Sequence, residues 1–165
     1  MTKLGGYDAW NVACFFGGIN CPTPAGPDFD FGQGAMLIPT KINGQAQDVL
    51  AAGQKSGVFW GINPATGAVI WQTADPNSFA DNGIDPGAVS VANGVVYAGS
   101  LARPATAPTF FALNAANGKI KWQYASGGSV NSGAAIVDGI VYWGSGYSNF
   151  GLGSPNNKFY AFGLK

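Results

Sequence analysis

The sequence predicts an all-β protein built from repeats of a four-stranded antiparallel unit. Three observations carry that prediction: a composition poor in helix formers, Asn-Gly and Asp-Gly pairs between alternating apolar runs, and a recurring tract that ends in Trp. Glu is absent, all eight acids are Asp, and the 165 residues include 26 Gly and 10 Pro. Such a chain lacks the straight-chain residues that sustain helices and is rich in residues that turn the backbone.

Residues 1–35 precede the first unit. Met1-Thr2-Lys3-Leu4-Gly5-Gly6 has no apolar leader core, so an export signal is expected outside this chain. No run approaches the roughly 18 apolar residues of a membrane span. Cys14 and Cys21 flank a stretch containing Gly17 and Gly18. Their spacing suits a small disulfide loop and is not a metal or redox Cys-x-x-Cys pattern, though two thiols also suit a reducing compartment. Asp28-Phe29-Asp30 follows in a Pro/Gly-rich tract, Gly26 to Gly32.

The repeat begins at residue 36. Phe59-Trp60-Gly61-Ile62-Asn63-Pro64-Ala65-Thr66-Gly67 through Trp71 aligns with Phe110-Phe111-Ala112-Leu113-Asn114-Ala115-Ala116-Asn117-Gly118 through Trp122, and a third copy starts at Phe159-Tyr160-Ala161-Phe162. Upstream, Val91-Ala92-Asn93-Gly94-Val95-Val96-Tyr97 matches Val137-Asp138-Gly139-Ile140-Val141-Tyr142, and Asn43-Gly44 opens a degenerate first copy. Each unit therefore reads as two hairpins. Four strands in roughly 40–50 residues is the size of one propeller blade. Three blades are expected, over residues 36–73, 74–125 and 126–165, forming a partial, open propeller. The third lacks its fourth strand, which residues 7–16 are expected to supply. Gly67 with Trp71 and Gly118 with Trp122 are expected to be structural, each Trp wedging between neighbouring blades.

Charge and missing residue types narrow the function. Eight basic residues balance eight acidic ones, which argues against a nucleic-acid partner needing a basic footprint. With no His, a Ser-His-Asp triad, a Cys-His pair and a His-ligated metal are excluded, so acid-base chemistry falls to Asp, Lys or Tyr. Asp28 and Asp30 alternate with Phe29, which puts both carboxylates on one side of an extended segment. Two like charges so close favour a proton or a hard cation between them.

The tract Ala112-x-Asn114-x-x-Asn117-Gly118-x-x-x-Trp122 resembles the tryptophan-docking motif, Ala-x-Asp-x-x-Thr-Gly-x-x-x-Trp, of the pyrroloquinoline quinone (PQQ) dehydrogenases. Gly61-x-Asn63-x-x-Thr66-Gly67-x-x-x-Trp71 is similar, with Asn for Asp in both copies. Gly26-Pro27-Asp28-Phe29-Asp30-Phe31-Gly32, Gln54-Lys55-Ser56-Gly57 and Gly127 to Tyr147 look most like the polyvinyl-alcohol-dehydrogenase branch. The resemblance spans Tyr7 to Leu164 and matches the C-terminal part of such a quinoprotein propeller. It implies an alcohol or polyol substrate, PQQ as hydride acceptor, Ca²⁺ as the usual metal and a periplasmic or secreted parent. Asp28 is then the base, Asp28 and Asp30 are metal ligands, and Lys55 is the cationic contact to the quinone oxygens. The family's stacking Trp and Glu ligand have no counterpart here, since the chain has no Glu. An inactive propeller scaffold that binds protein partners is the alternative. Under either reading an open propeller of neutral charge is expected to self-associate, as a ring-completing oligomer or a filament.

Overall fold

The computed structural model describes residues 7–163. Met1–Gly6, expected to carry no leader, and the last two residues lie outside the described part. Three antiparallel sheets follow one another along the chain. The first contains β1 (Met36–Ile42), β2 (Gln45–Gln54), β3 (Val58–Ile62) and β4 (Val69–Ala74), in spatial order β1-β2-β3-β4. The second contains β5 (Ser90–Ala92), β6 (Val95–Gly99), β7 (Phe110–Asn114) and β8 (Ile120–Tyr124), again in sequence order. The third has β9 (Ala135–Val137), β10 (Ile140–Gly144) and β11 (Phe159–Gly163), with β10 central. Three short 3-10 turns are the only helical pieces among the described residues.

The same chemistry makes the first hairpin of each sheet. Asn43-Gly44 has φ values of 52° and 80°, Asn93-Gly94 of 49° and 71°, and Asp138-Gly139 of 49° and 75°. Two successive positive φ angles are what a type I′ turn requires, and its twist matches that of the flanking strands. The second hairpin of the first two sheets is made by Asn63 and Asn114. The Asn63 carboxamide oxygen accepts from the backbone N–H of Ala65 (2.9 Å) and Thr66 (3.1 Å), and that of Asn114 from Ala116 (2.8 Å). Such Asx turns explain why Asn serves where the related motif carries Asp.

The core lies between the sheets. Ile38, Val49, Phe59 and Trp71 of the first pack against Val96, Phe111 and Leu113 of the second, with Phe59 and Phe111 rings 5.7 Å apart. Phe110, Val130, Val141 and Trp143 join the second to the third, the Phe110 and Trp143 rings being stacked at 4.0 Å. Trp71 locks the first pair: its indole N–H donates to Ala115 O at 2.8 Å, and a Cβ on Gly118 would lie 2.6 Å from its ring. Thr73 Oγ1 donates to Gly118 O at 2.8 Å beside it. Trp122 is different. It is 36% exposed, against 7% for Trp71, and touches Trp143 and Phe162 at the rim of an apolar groove of about 500 Å³.

Gly61 in β3 lies directly under the Trp71 ring, with no room for a methyl group. Gly61→Ala is therefore expected to destabilise the chain by about 1–3 kcal/mol through overpacking. A thermal melt checks this, and an unchanged midpoint would show that the ring can shift aside.

One expectation is corrected. Residues 7–16 enter no sheet; Val12–Phe16 is a 3-10 turn capped by Asn11. Cys14 and Cys21 are disulfide-bonded, and the short loop they close holds this stretch in a turn. The Asn11 side chain accepts from Ala13 N and donates to Asn20 O, both at 2.9 Å, tying the loop to itself.

Candidate functional site

The turn between β2 and β3, Gln54-Lys55-Ser56-Gly57, positions the only lysine that forms ion pairs among the described residues. Gly57 takes φ 73° and donates its N–H to Gln54 O at 3.0 Å. Gln54 is buried, and its side-chain oxygen accepts from Ser56 Oγ (2.7 Å) and Trp60 Nε1 (3.1 Å). The turn is thus fixed from below while Lys55 points outward.

Lys55 meets the Asp-Phe-Asp segment twice. Its backbone N–H donates to Asp30 O at 3.0 Å, and its ammonium lies 2.9 Å from Asp28 Oδ2 and 2.9 Å from Asp30 Oδ2. Asp28 has φ 64°, a left-handed conformation that Asp tolerates better than most residues. Asp8 stabilises it: its carboxylate accepts from the backbone N–H of Asp28 (2.9 Å) and of Phe29. The structure therefore brings Asp28, Asp30 and Lys55 into one cluster. Trp71, Gly118 and Trp122 belong to the contacts between sheets, Gly67 closes the Asn63 turn with φ 73°, and the Cys14–Cys21 loop stands apart in sequence on the N-terminal segment.

The two carboxyls are unequal. Burial lifts the Asp28 carboxyl above its ordinary value, against the hydrogen bond from Lys55, and the neighbouring Asp30 adds to the rise. Asp30 is held below its ordinary value chiefly by its hydrogen bond from Lys55, which outweighs its own desolvation. Desolvation pulls the Lys55 ammonium down, but its bonds to Asp30 and Asp28 and their charges outweigh that, leaving its pKa raised. Asp28 is thus the better proton acceptor and Asp30 the permanent counter-ion.

The depressed Asp30 and raised Lys55 give a pH signature. Asp30 contributes stability above the unfolded carboxylate value of about 3.9, lost as pH falls through its lower folded value; Lys55 contributes below about 10.4, lost as pH rises through its higher one. Asp30→Asn is expected to lower the melting midpoint on the plateau between these limits and to match the parent chain at acid pH. Melts of both proteins across pH check it, and a constant difference would separate Asp30 from the ion pair.

Calcium takes six to eight oxygen ligands. Here two carboxylates are already bridged by an ammonium, and no group of three or more His, Cys, Asp or Glu stands together among the described residues. The residues described do not fit calcium. A quinone oxygen is a better match, because an ammonium has three N–H donors and two face the carboxylates, leaving one for a further acceptor.

Sequence reasoning missed Asp8, and it missed Asp75 and Asp85, both buried behind the Lys55 turn. A signal for Asp85 exists: Asp30-Phe31-Gly32, Asp85-Pro86-Gly87 and Asn131-Ser132-Gly133 recur before the first strand of each sheet. A Cβ on Gly32 would meet Pro86 O at 2.8 Å, and one on Gly87 would meet Asn131 O at 2.7 Å. The recurrence marks where neighbouring units touch. A second cavity, about 310 Å³, lies at the third unit between Ser129–Ser132 and Gly144–Tyr147.

The profile of the PQQ_2 family, described as outer membrane protein assembly factor BamB, matches residues 55–150. Polyvinylalcohol dehydrogenase of Sphingopyxis sp. (strain 113P3) is 30% identical over 145 residues, covering 76% of this chain and 22% of that protein. The chain thus spans under a quarter of that relative. Europium-containing methanol dehydrogenase superposes with a TM-score of 0.51 at 15% identity, over 79% of this chain and 25% of that one. Quinohemoprotein alcohol dehydrogenase from Comamonas testosteroni gives 0.50 at 19% identity, over 76% and 20%. These two likenesses support the propeller-type fold.

Proposed function

The chain belongs to the PQQ_2 family, and from that premise we propose that it forms one sector of a PQQ-dependent, alcohol-oxidising propeller. The observation that carries the reading is the convergence of Asp28 and Asp30 on Lys55 from segments far apart in sequence. The name of the Sphingopyxis relative supports an alcohol or polyol as substrate class. Bound PQQ would supply the hydride acceptor. Asp28, with its raised pKa and partly open side chain, takes the proton of the substrate hydroxyl. Lys55 holds Asp28 in place and offers its third N–H to a quinone oxygen, while Asp30 keeps the ammonium charged. The Cys14–Cys21 disulfide supports an exported, periplasmic or secreted parent.

Titrating PQQ into the chain and following Trp fluorescence tests the cofactor site. Saturable quenching is expected, lost in Lys55→Ala and retained in Asp28→Asn. Equal binding by Lys55→Ala would remove Lys55 from the site.

A second property is supported by a separate observation. β11 lies at the free edge of its sheet, with Phe159 73% exposed, and Phe16, Ile19 and Phe150 are 85%, 100% and 95% exposed. An apolar edge on a chain of zero net charge favours pairing with a second copy. Self-association at micromolar concentration is expected, and light scattering from a uniform 16.9 kDa particle would exclude it. If the chain assembles but never binds PQQ, the inactive scaffold reading replaces the enzymatic one.

A further inference from the structure

Behind the Lys55 turn lies a second pair of acids that the proposed chemistry does not use. Asp75, just after β4, is 7% exposed, and Asp85, before β5, is 1% exposed. The Asp75 backbone N–H donates to Gly57 O at 2.8 Å and that of Asp85 to Gln54 O at 3.2 Å. The two aspartates therefore hold both ends of the four-residue turn that carries Lys55. Asp75 Oδ1 is satisfied by Asn77 N and Nδ2, each at 2.7 Å. Asp75 Oδ2 and both oxygens of Asp85 are buried without any donor.

Three orphan carboxyl oxygens in a buried site are not sustainable as two full negative charges, since burial strongly disfavours an unpaired carboxylate. Both residues are anchored by backbone bonds to the same four-residue turn, and the Asp75 carboxylate acts electrostatically on that of Asp85. We propose that Asp75 and Asp85 share one proton at neutral pH, and that the resulting carboxyl–carboxylate hydrogen bond is the positioning element that locks the Gln54–Gly57 turn and thereby aims Lys55. Either carboxyl carrying the proton becomes the donor that the other lacks, which satisfies one orphan oxygen on each residue and removes one of the two buried charges without any outside group.

The electrostatic surroundings agree. Burial, then the charge of Asp75, pushes the Asp85 carboxyl well above its ordinary value. Among the described residues no cation offsets this. The Lys55 ammonium is turned to Asp28 and Asp30, the Arg103 guanidinium donates to Gly151 O at 3.0 Å, and Asp81 is engaged by Ser78. The inference rests on the proposed function only in treating Lys55 as a functional group. Its readouts need neither cofactor nor turnover, so a chain that fails to bind PQQ leaves it standing.

The test is infrared spectroscopy of the full chain with carboxyl-¹³C aspartate. A protonated carboxyl band is expected at neutral pH, retained in Asp28→Asn and lost in Asp85→Asn, whose amide replaces the shared proton. In parallel, amine acylation of Lys55 is read by peptide mass spectrometry against exposed Lys119. In the parent chain, normalised Lys55 labelling is expected to rise several-fold as pH passes through loss of the shared proton, and in Asp85→Asn to stay flat. A merely structural Asp85 would leave the two profiles parallel. Absence of the protonated band from the parent chain at neutral pH overturns the proposal without any variant needing to fold. A band that appears only after chelation overturns it too, since the three oxygens would then hold a cation.

Discussion

Trp71→Ala is expected to lower the unfolding free energy by about 3–5 kcal/mol, the range for removing a buried aromatic side chain. Several losses coincide there. The cavity would open between the first two sheets, Ala115 O would lose its indole donor, and the Gly118 turn would lose the ring it packs on. Trp122→Ala, at the equivalent place in the sequence, is expected to cost less than half as much, because that ring is already 36% exposed. Urea titrations of the two variants beside the parent chain provide the comparison. Equal costs would show that the two docking tryptophans are energetically interchangeable despite their different surroundings.

The second large effect concerns turnover. Under the proposed function, Asp28→Asn in the PQQ-loaded protein is expected to lower alcohol oxidation roughly 10²–10⁴-fold, the usual contribution of a positioned general base. Asn keeps an oxygen that can accept from Lys55, so the ion-pair geometry and PQQ binding should survive. Asp30→Asn should cost far less, because Asp30 is held ionised by Lys55 and is the poorer base. Steady-state assays with an artificial electron acceptor distinguish the two. If Asp30→Asn is the more damaging variant, the roles of base and counter-ion are exchanged.

The architecture was legible because its signals are local. Asn43-Gly44, Asn93-Gly94 and Asp138-Gly139 each demand positive φ, and each makes the hairpin such pairs predict. Asp28, Asp30 and Lys55 were legible as a group only through family resemblance; their spacing alone does not bring them together. What was not legible depends on burial and on the path between elements. Nothing in the sequence around Asp75 says that it is buried, with Asp85, against the base of the same turn. The repeat made Trp71 and Trp122 look alike, whereas only Trp71 has a neighbouring Asx turn to dock on. Residues 7–16 are the stretch expected to supply the strand that the third unit lacks, but the disulfide and the Asn11 cap hold Val12–Phe16 in a turn. A pair of carboxylates suggests a metal until the lysine between them is seen.

Every strand in all three sheets pairs only with its neighbours in sequence. Ring closures during folding are therefore short, and the entropy lost before the first contacts form is small. The strand pairing of each sheet uses only its own stretch of chain, whereas burial of its apolar face waits for the next unit. The contact from Trp71 to Ala115 then acts as a ratchet between successive units, committing the first sheet once the second exists. Synthesis order and assembly order coincide, so a nascent chain exposes at most its newest unit.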